Sequence, residues 1–174
     1  YNSSGIKSFD FVATNDKRIN CGSVDLTTSW SFEIWIKFHD IPSSGNEGIM
    51  GHGERVSQRG LQIVVRDVGQ TIRCIIFGGN TEFTTSPVIK ENKWIHFVFT
   101  YNSTDYTLQV YQNGVLLNSI IGQEYLNNDG NLSIGAGYSS GQNAAELDGE
   151  IAVFRMYTKV LSSNEVTANY NTGV

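Results

Sequence analysis

The stretch Glu146-Leu-Asp-Gly-Glu150 sets three carboxylates at alternate positions, Glu146, Asp148 and Glu150. On a β-strand alternate residues share a face, and a retaining glycoside hydrolase needs a nucleophile and an acid/base whose carboxyl groups stand about 5 Å apart. The spacing is long for that chemistry. Strand positions i and i+4 lie about 13 Å apart at a rise near 3.3 Å per residue, so Glu146 and Glu150 would both have to lean inward. No other nucleophile offers itself: there is no Gly-x-Ser-x-Gly elbow, and His39, His52 and His96 are isolated from one another in the sequence.

Recognition chemistry has more to draw on. Trp35 lies between Glu33 and Lys37 on the more polar side of its segment, and an aromatic ring offers an apolar plane to the C–H face of a pyranose. Packing is the competing role for Trp35. Trp94 and His96 alternate onto one face, where an edge-packing aromatic and a hydrogen-bonded structural histidine are the expected roles. His52, Glu54 and Arg55 in one Gly-bounded loop, with Tyr138 and Asn143 in a later one, are candidates for polar contacts at a rim; loop solvation is the alternative.

These residues must be positioned by strands. "WSFEIWIKF" (30–38) alternates Phe32, Ile34, Ile36 and Phe38 against Glu33, Trp35 and Lys37, and segments 61–67, 71–77, 94–101, 106–112 and 115–121 follow the same period. Several are apolar on both sides, as central strands of a two-sheet antiparallel sandwich are. Asn113-Gly114 between two such runs is a hairpin signal, because both turn positions need positive φ; "DVGQ" (67–70) joins two more. Stretches 41–48, 51–60 and 137–149 read as surface loops. In "LSSNEVTANY", Ser162 and Glu165 have capping-box spacing and predict a short C-terminal helix, with Val166 and Tyr170 sharing its docking face.

Composition sets the bounds. A chain of 174 residues with 40% hydrophobic and 17% charged residues fits a single domain, 1–174, with a full core. A net charge of −5 with scattered basic residues argues against a nucleic-acid partner. No apolar run is long enough for a spanning helix, and the N-terminal segment lacks the regions of a signal peptide, so no membrane insertion is expected. Cys21 and Cys74 form either one long-range disulfide or two buried thiols, and the apolar setting of Cys74 in "IRCIIF" favours thiols.

The order of these pieces resembles a known family. "FDFVATNDKRINCG", "WSFEIWIKF", "KWIHFVFTYNSTDYTLQVYQNGVLLNS" and the closing "LSIGAGY" with "LDGEIAVFRMYTKVLSSNEV" are similar to successive sections of the laminin G-like jelly rolls of the concanavalin A-like lectin and glucanase superfamily. The resemblance covers residues 9 to 170. It implies an all-β jelly-roll sandwich of two curved antiparallel sheets with a short C-terminal helix. It also implies that Glu146 falls in a loop, Asp148-Gly149 at the start of a closing strand, and only Glu150 within that strand. Gly149 stands where the glucanase pattern has a bulky apolar residue.

Many relatives hold a structural Ca²⁺ between the opening turn and the last strand, and a hard cation takes six to eight oxygens. The matching positions here are Asp16, Asp148 and Glu150, although Ala152 and Val153 stand where relatives often carry acidic residues. The function expected is a non-catalytic recognition module that binds carbohydrate or a surface ligand. It would belong to a larger multidomain or oligomeric protein that is extracellular, at the cell surface or virion-associated. A structural or protein-interaction module is the first alternative, and a glycoside hydrolase or polysaccharide lyase the second.

Overall fold

The computed structural model describes residues 5–12, 17–41, 45–54, 59–66, 71–77, 81–85, 89–122, 124–125, 130–137 and 145–174. Among these, twelve strands form two antiparallel sheets. The order along the first, sheet A, is β1 (Phe9–Phe11), β12 (Gly149–Tyr157), β3 (Trp30–Phe38), β8 (Trp94–Tyr101), β9 (Thr107–Gln112) and β10 (Val115–Ile121). Along the second, sheet B, it is β2 (Ile19–Ser23), β11 (Asn131–Ile134), β4 (Asn46–Glu54), β5 (Arg59–Arg66), β6 (Thr71–Phe77) and β7 (Thr81–Thr85). Sequence-distant strands are neighbours at β1–β12, β12–β3, β3–β8, β2–β11 and β11–β4, as in a jelly roll. One helix, α1 (Ser163–Thr172), closes the chain.

The period-2 pattern places Phe32, Ile34, Ile36 and Phe38 of β3 and Ile95, Phe97, Phe99 and Tyr101 of β8 between the sheets. Leu61, Ile63 and Val65 of β5, with Ile72 and Cys74 of β6, complete the core. Burial of such side chains stabilises the fold by about 1.5–3 kcal/mol each. The Asn113-Gly114 turn forms as expected, with φ of 50° and 80°. The "DVGQ" residues lie outside the described ones, but the strands they join are paired from Gly60↔Phe77 to Arg66↔Thr71.

Strand β4 corrects the expectation of loops at 41–48 and 51–60. Its glycines hide the apolar alternation, yet one of them is demanded by packing: a Cβ on Gly48 would stand 2.1 Å from the Gly137 nitrogen and 2.2 Å from the Ala145 oxygen. The segment around Ala136, bridged to Glu146, therefore lies directly on this strand. Both cysteines are free; Cys74 is buried as expected, but Cys21 is exposed. Burial pushes the Cys74 thiol up to about 12.

Helix α1 seals the outer face of sheet A. Ser162 and Glu165 form the expected capping box. Leu161 and Val166 pack with Val98 and Tyr111 in a second apolar cluster. The Ser31 hydroxyl donates to the Lys159 carbonyl at 2.7 Å and accepts from the Leu161 N–H at 2.9 Å, fixing the approach to the helix.

Glu33, with no exposed surface, is the polar centre of this seal. Its carboxylate accepts from Arg155 at 2.7 Å, Tyr157 at 2.6 Å and the Asn169 amide of α1 at 2.9 Å. His96 Nε2 lies 3.3 Å away, and an ionised carboxylate requires that this nitrogen carry the proton. Burial alone would push the Glu33 carboxyl up; donation from His96 and Tyr157 and the charge of Arg155 reverse this and hold it at about 2.

A carboxyl held below its unfolded value contributes stability that is complete above the unfolded value and is lost as pH falls through the folded one. For Glu33 that window runs from the ordinary value of 4.5 down to about 2. Glu33→Gln is expected to lower the melting temperature at pH 7 by roughly 5–10 °C, because donors built for a charge lose it. The gap to the unsubstituted protein should narrow as pH falls from 4.5 towards 2. Calorimetry of both proteins across that range checks this; a gap that is independent of pH would contradict it.

Candidate functional site

Of the three alternating carboxylates, Asp148 and Glu150 both lie beside His39, whereas Glu146 stands outside the closing strand. Glu146 bridges to Ala136, Leu147 between them is fully buried in the core, and β12 begins only at Gly149. A Cβ on Gly149 would stand 2.3 Å from the Lys37 oxygen, so close pairing with β3 explains the glycine. Glu150 lies opposite both Asp10 and Lys37 in the ladders.

Two of the carboxylates proposed for calcium, Glu150 and Asp148, are held by protein side chains. Glu150 pairs with Lys37 Nζ at 2.5 Å and accepts from the Ser8 hydroxyl. Asp148 Oδ1 lies 3.0 Å from His39 Nδ1, while His39 Nε2 is 3.5 Å from Glu150 and 3.6 Å from Asp10. His39, isolated in the sequence, is thus gathered with three carboxylates by the β1–β12–β3 pairing. Nearby Glu47, 8% exposed, is pushed up to about 7 by burial, with the charge of Asp148 adding and the Asp148 N–H opposing. Among the described residues no set of three or more His, Cys, Asp or Glu is arranged to hold a metal ion; Asp16 lies outside them. At Glu150 the positive charge comes from Lys37.

Trp35 and His52, two of the residues singled out for recognition, lie on different sheets. Trp35 is only 7% exposed: the Tyr170 ring of α1 stacks on it at 5.8 Å with 14° between planes. Its apolar plane is therefore used within the fold, which corrects the expectation of a surface platform. His52 is fully buried, bound through Nδ1 to the Tyr125 hydroxyl at 2.6 Å and through Nε2 to the Val24 carbonyl at 2.7 Å. It is a core histidine and not a rim contact, because β4 turns it inward opposite Leu132 and Leu61. Glu54 ends β4 opposite Arg59 in the backbone register; Arg55, Tyr138 and Asn143 lie outside the described residues. His96 is structural, as expected.

Of the three tryptophans, Trp94 is the one that remains accessible. It opens β8 beside a pocket of about 410 Å³, lined also by Lys90, Lys93, Gln112, Asn113 and Val115. Trp94 is partly exposed, and Lys90, Lys93, Asn113 and Val115 are exposed. Lys37 Nζ stands over the Trp94 ring, 5.3 Å from its centroid, a cation–π contact.

Both walls of this pocket are fixed by the fold. On one side Asn92, with φ of 57°, donates its N–H to the Phe38 carbonyl at 2.7 Å and its side-chain amide to the His39 carbonyl at 3.3 Å. This ties the Lys90–Lys93 turn to the end of β3. On the other side the Asn113 N–H donates to the His96 carbonyl at 2.8 Å, and Asn113 Oδ1 accepts from the His96 N–H at 3.1 Å. Helix α1 braces the same turn, since Thr167 donates to the Gly114 carbonyl at 3.0 Å. A Cβ on Gly114 would meet Tyr170 at 3.2 Å.

An accessible ring, side-chain amides and ammonium groups around a concavity can stack against a sugar ring and bind its hydroxyls or anionic substituents. The spacing of Trp94 and His96 gave the right strand face but not which of Trp35 and Trp94 the helix would cover. That is settled by α1, far from both tryptophans in the sequence.

Comparison with known proteins agrees with this architecture. No curated protein matches the sequence significantly. Among solved structures, a heptameric SAP-like pentraxin from Limulus polyphemus superposes with a TM-score of 0.71 at 15% identity, covering 91% of this chain and 78% of that one. The CBM40 of the Ruminococcus gnavus IT-sialidase, bound to α2,3-sialyllactose, gives 0.69 at 14% identity over 94% of this chain and 98% of that one. The NanB sialidase of Streptococcus pneumoniae gives 0.73 at 20% identity, covering 92% of this chain and 27% of that one. At such identities these likenesses speak to the fold. The sequence profile of the concanavalin A-like lectin/glucanases superfamily matches residues 10–167, and with the two-sheet jelly roll and its closing helix this establishes that the chain belongs to that superfamily.

Proposed function

We propose that the chain is a non-catalytic carbohydrate-recognition module, with the pocket beside Trp94 as its binding site. The observation that carries this reading is the pairing of a partly exposed indole with amide side chains in a concavity whose walls are both anchored by backbone hydrogen bonds. Preorganised walls reduce the ordering cost of binding. The superfamily fold supports the reading, and the CBM40 likeness is to a domain seen with a bound sugar. Engagement of Glu150 by Lys37 and the Ser8 hydroxyl speaks for recognition over hydrolysis, since a retaining mechanism uses two carboxyl groups facing the sugar.

A shallow site of this size fits affinities in the micromolar to millimolar range, and several copies in a surface assembly would raise avidity without new contacts. On an array spanning neutral and acidic glycans, the protein should bind a subset. Trp94→Ala should reduce that binding by about tenfold or more, corresponding to loss of a stacking contact of about 1.4 kcal/mol, while its melting temperature shifts little. Absence of binding across the array, or binding that Trp94→Ala leaves intact, would contradict the proposal.

A further inference from the structure

From the charges around Trp94 we infer that the sugar this pocket takes is anionic, carrying a carboxylate or a sulfate. The inference rests on the proposed carbohydrate-binding role and names the ligand class for the same site. Lys90 and Lys93 both line the pocket and are both exposed, and neither has a carboxylate partner among the described residues. Unlike them, Lys37 is neutralised by Glu150, and Lys159 and Arg155 by Glu165 and Glu33. The chain as a whole carries −5, so two ammonium groups that have no carboxylate partner among the described residues, beside one aromatic ring, run against its general charge. Glu91 lies between them in sequence but does not line the pocket.

The geometry suits a sugar whose ring stacks on Trp94 while its acidic substituent reaches the ammonium groups. The Lys90–Lys93 turn, closed by the Lys93 N–H donating to the Lys90 carbonyl at 3.3 Å, presents both lysines from one short segment. Asn113 Oδ1 is engaged by the His96 N–H, which leaves the Asn113 amide hydrogens for ligand oxygens. A neutral sugar would use the ring and the amides only. An anionic one adds charge-assisted hydrogen bonds, about twice as strong as neutral ones.

The test compares three sets of oligosaccharides of matched length, neutral (cello- and malto-oligosaccharides), carboxylated (oligogalacturonates and sialyllactose) and sulfated (heparin fragments), by titration calorimetry. The expected result is preference for the acidic sets. Binding to them should fall about tenfold in a Lys90→Gln/Lys93→Gln protein, and it should weaken between about 20 and 300 mM salt as screening grows. The carboxylated and sulfated arms show which anion is preferred. Trp94-dependent binding of neutral sugars, unaffected by loss of the lysines, would overturn this inference and leave the carbohydrate-binding role standing. Binding of no oligosaccharide would overturn both. Acidic binding insensitive to the lysines and to Trp94→Ala would place the site elsewhere and overturn the inference too.

Discussion

Glu33 is a carboxylate with no solvent contact, placed by strict alternation on the outward side of a central strand, and four donors from β8, β12 and α1 converge on it. A buried charge costs several kcal/mol unless it is paired and hydrogen-bonded, so the helix and the two strands must arrive together for any of them to be stable there. Around that carboxylate the apolar contacts follow: Tyr170 on Trp35, and Val166 and Leu161 on Val98 and Tyr111. The outer face of sheet A is closed by its own chain.

The closure has a consequence for recognition. Once α1 covers Trp35, the tryptophan left accessible on the same sheet is Trp94, at the first residue of β8. The helix also braces the Asn113-Gly114 turn through Thr167 and Tyr170, and that turn is one wall of the pocket. One interaction thus removes a tempting binding surface and stiffens the one that remains. The opposite wall is stiffened independently, through Asn92 and the end of β3.

Much of the architecture was legible because its signals are local. The alternation in β3, β6, β8 and β10, the Asn113-Gly114 turn and the Ser162–Glu165 capping box depend on neighbours within a few residues, and each forms where the sequence indicates. Strand β4 was not legible, since its glycines answer to the chain segment lying on it, about ninety residues later. The site residues were less legible still. His52 and Trp35 have the polarity of surface groups, and only the positions of Tyr125 and Tyr170 reveal that both are enclosed. His39 acquires its three carboxylate neighbours through strand pairing that no local pattern encodes. What the alternating carboxylates of 146–150 do is set by Leu147, which points into the core, and by Gly149, which must pass close to Lys37.

The chain contains three tryptophans, and their indole N–H signals in a ¹⁵N-labelled protein report separately on the core, the helix-covered face and the pocket. Trp30 and Trp35 are buried, whereas Trp94 is partly exposed. Titration with an acidic oligosaccharide is expected to move the Trp94 signal, identified by its loss in Trp94→Phe, and to leave those of Trp30 and Trp35 in place. Movement of the Trp35 signal with Trp94 unchanged would contradict the account, because it would mean that the ligand reaches a face the helix should hold shut.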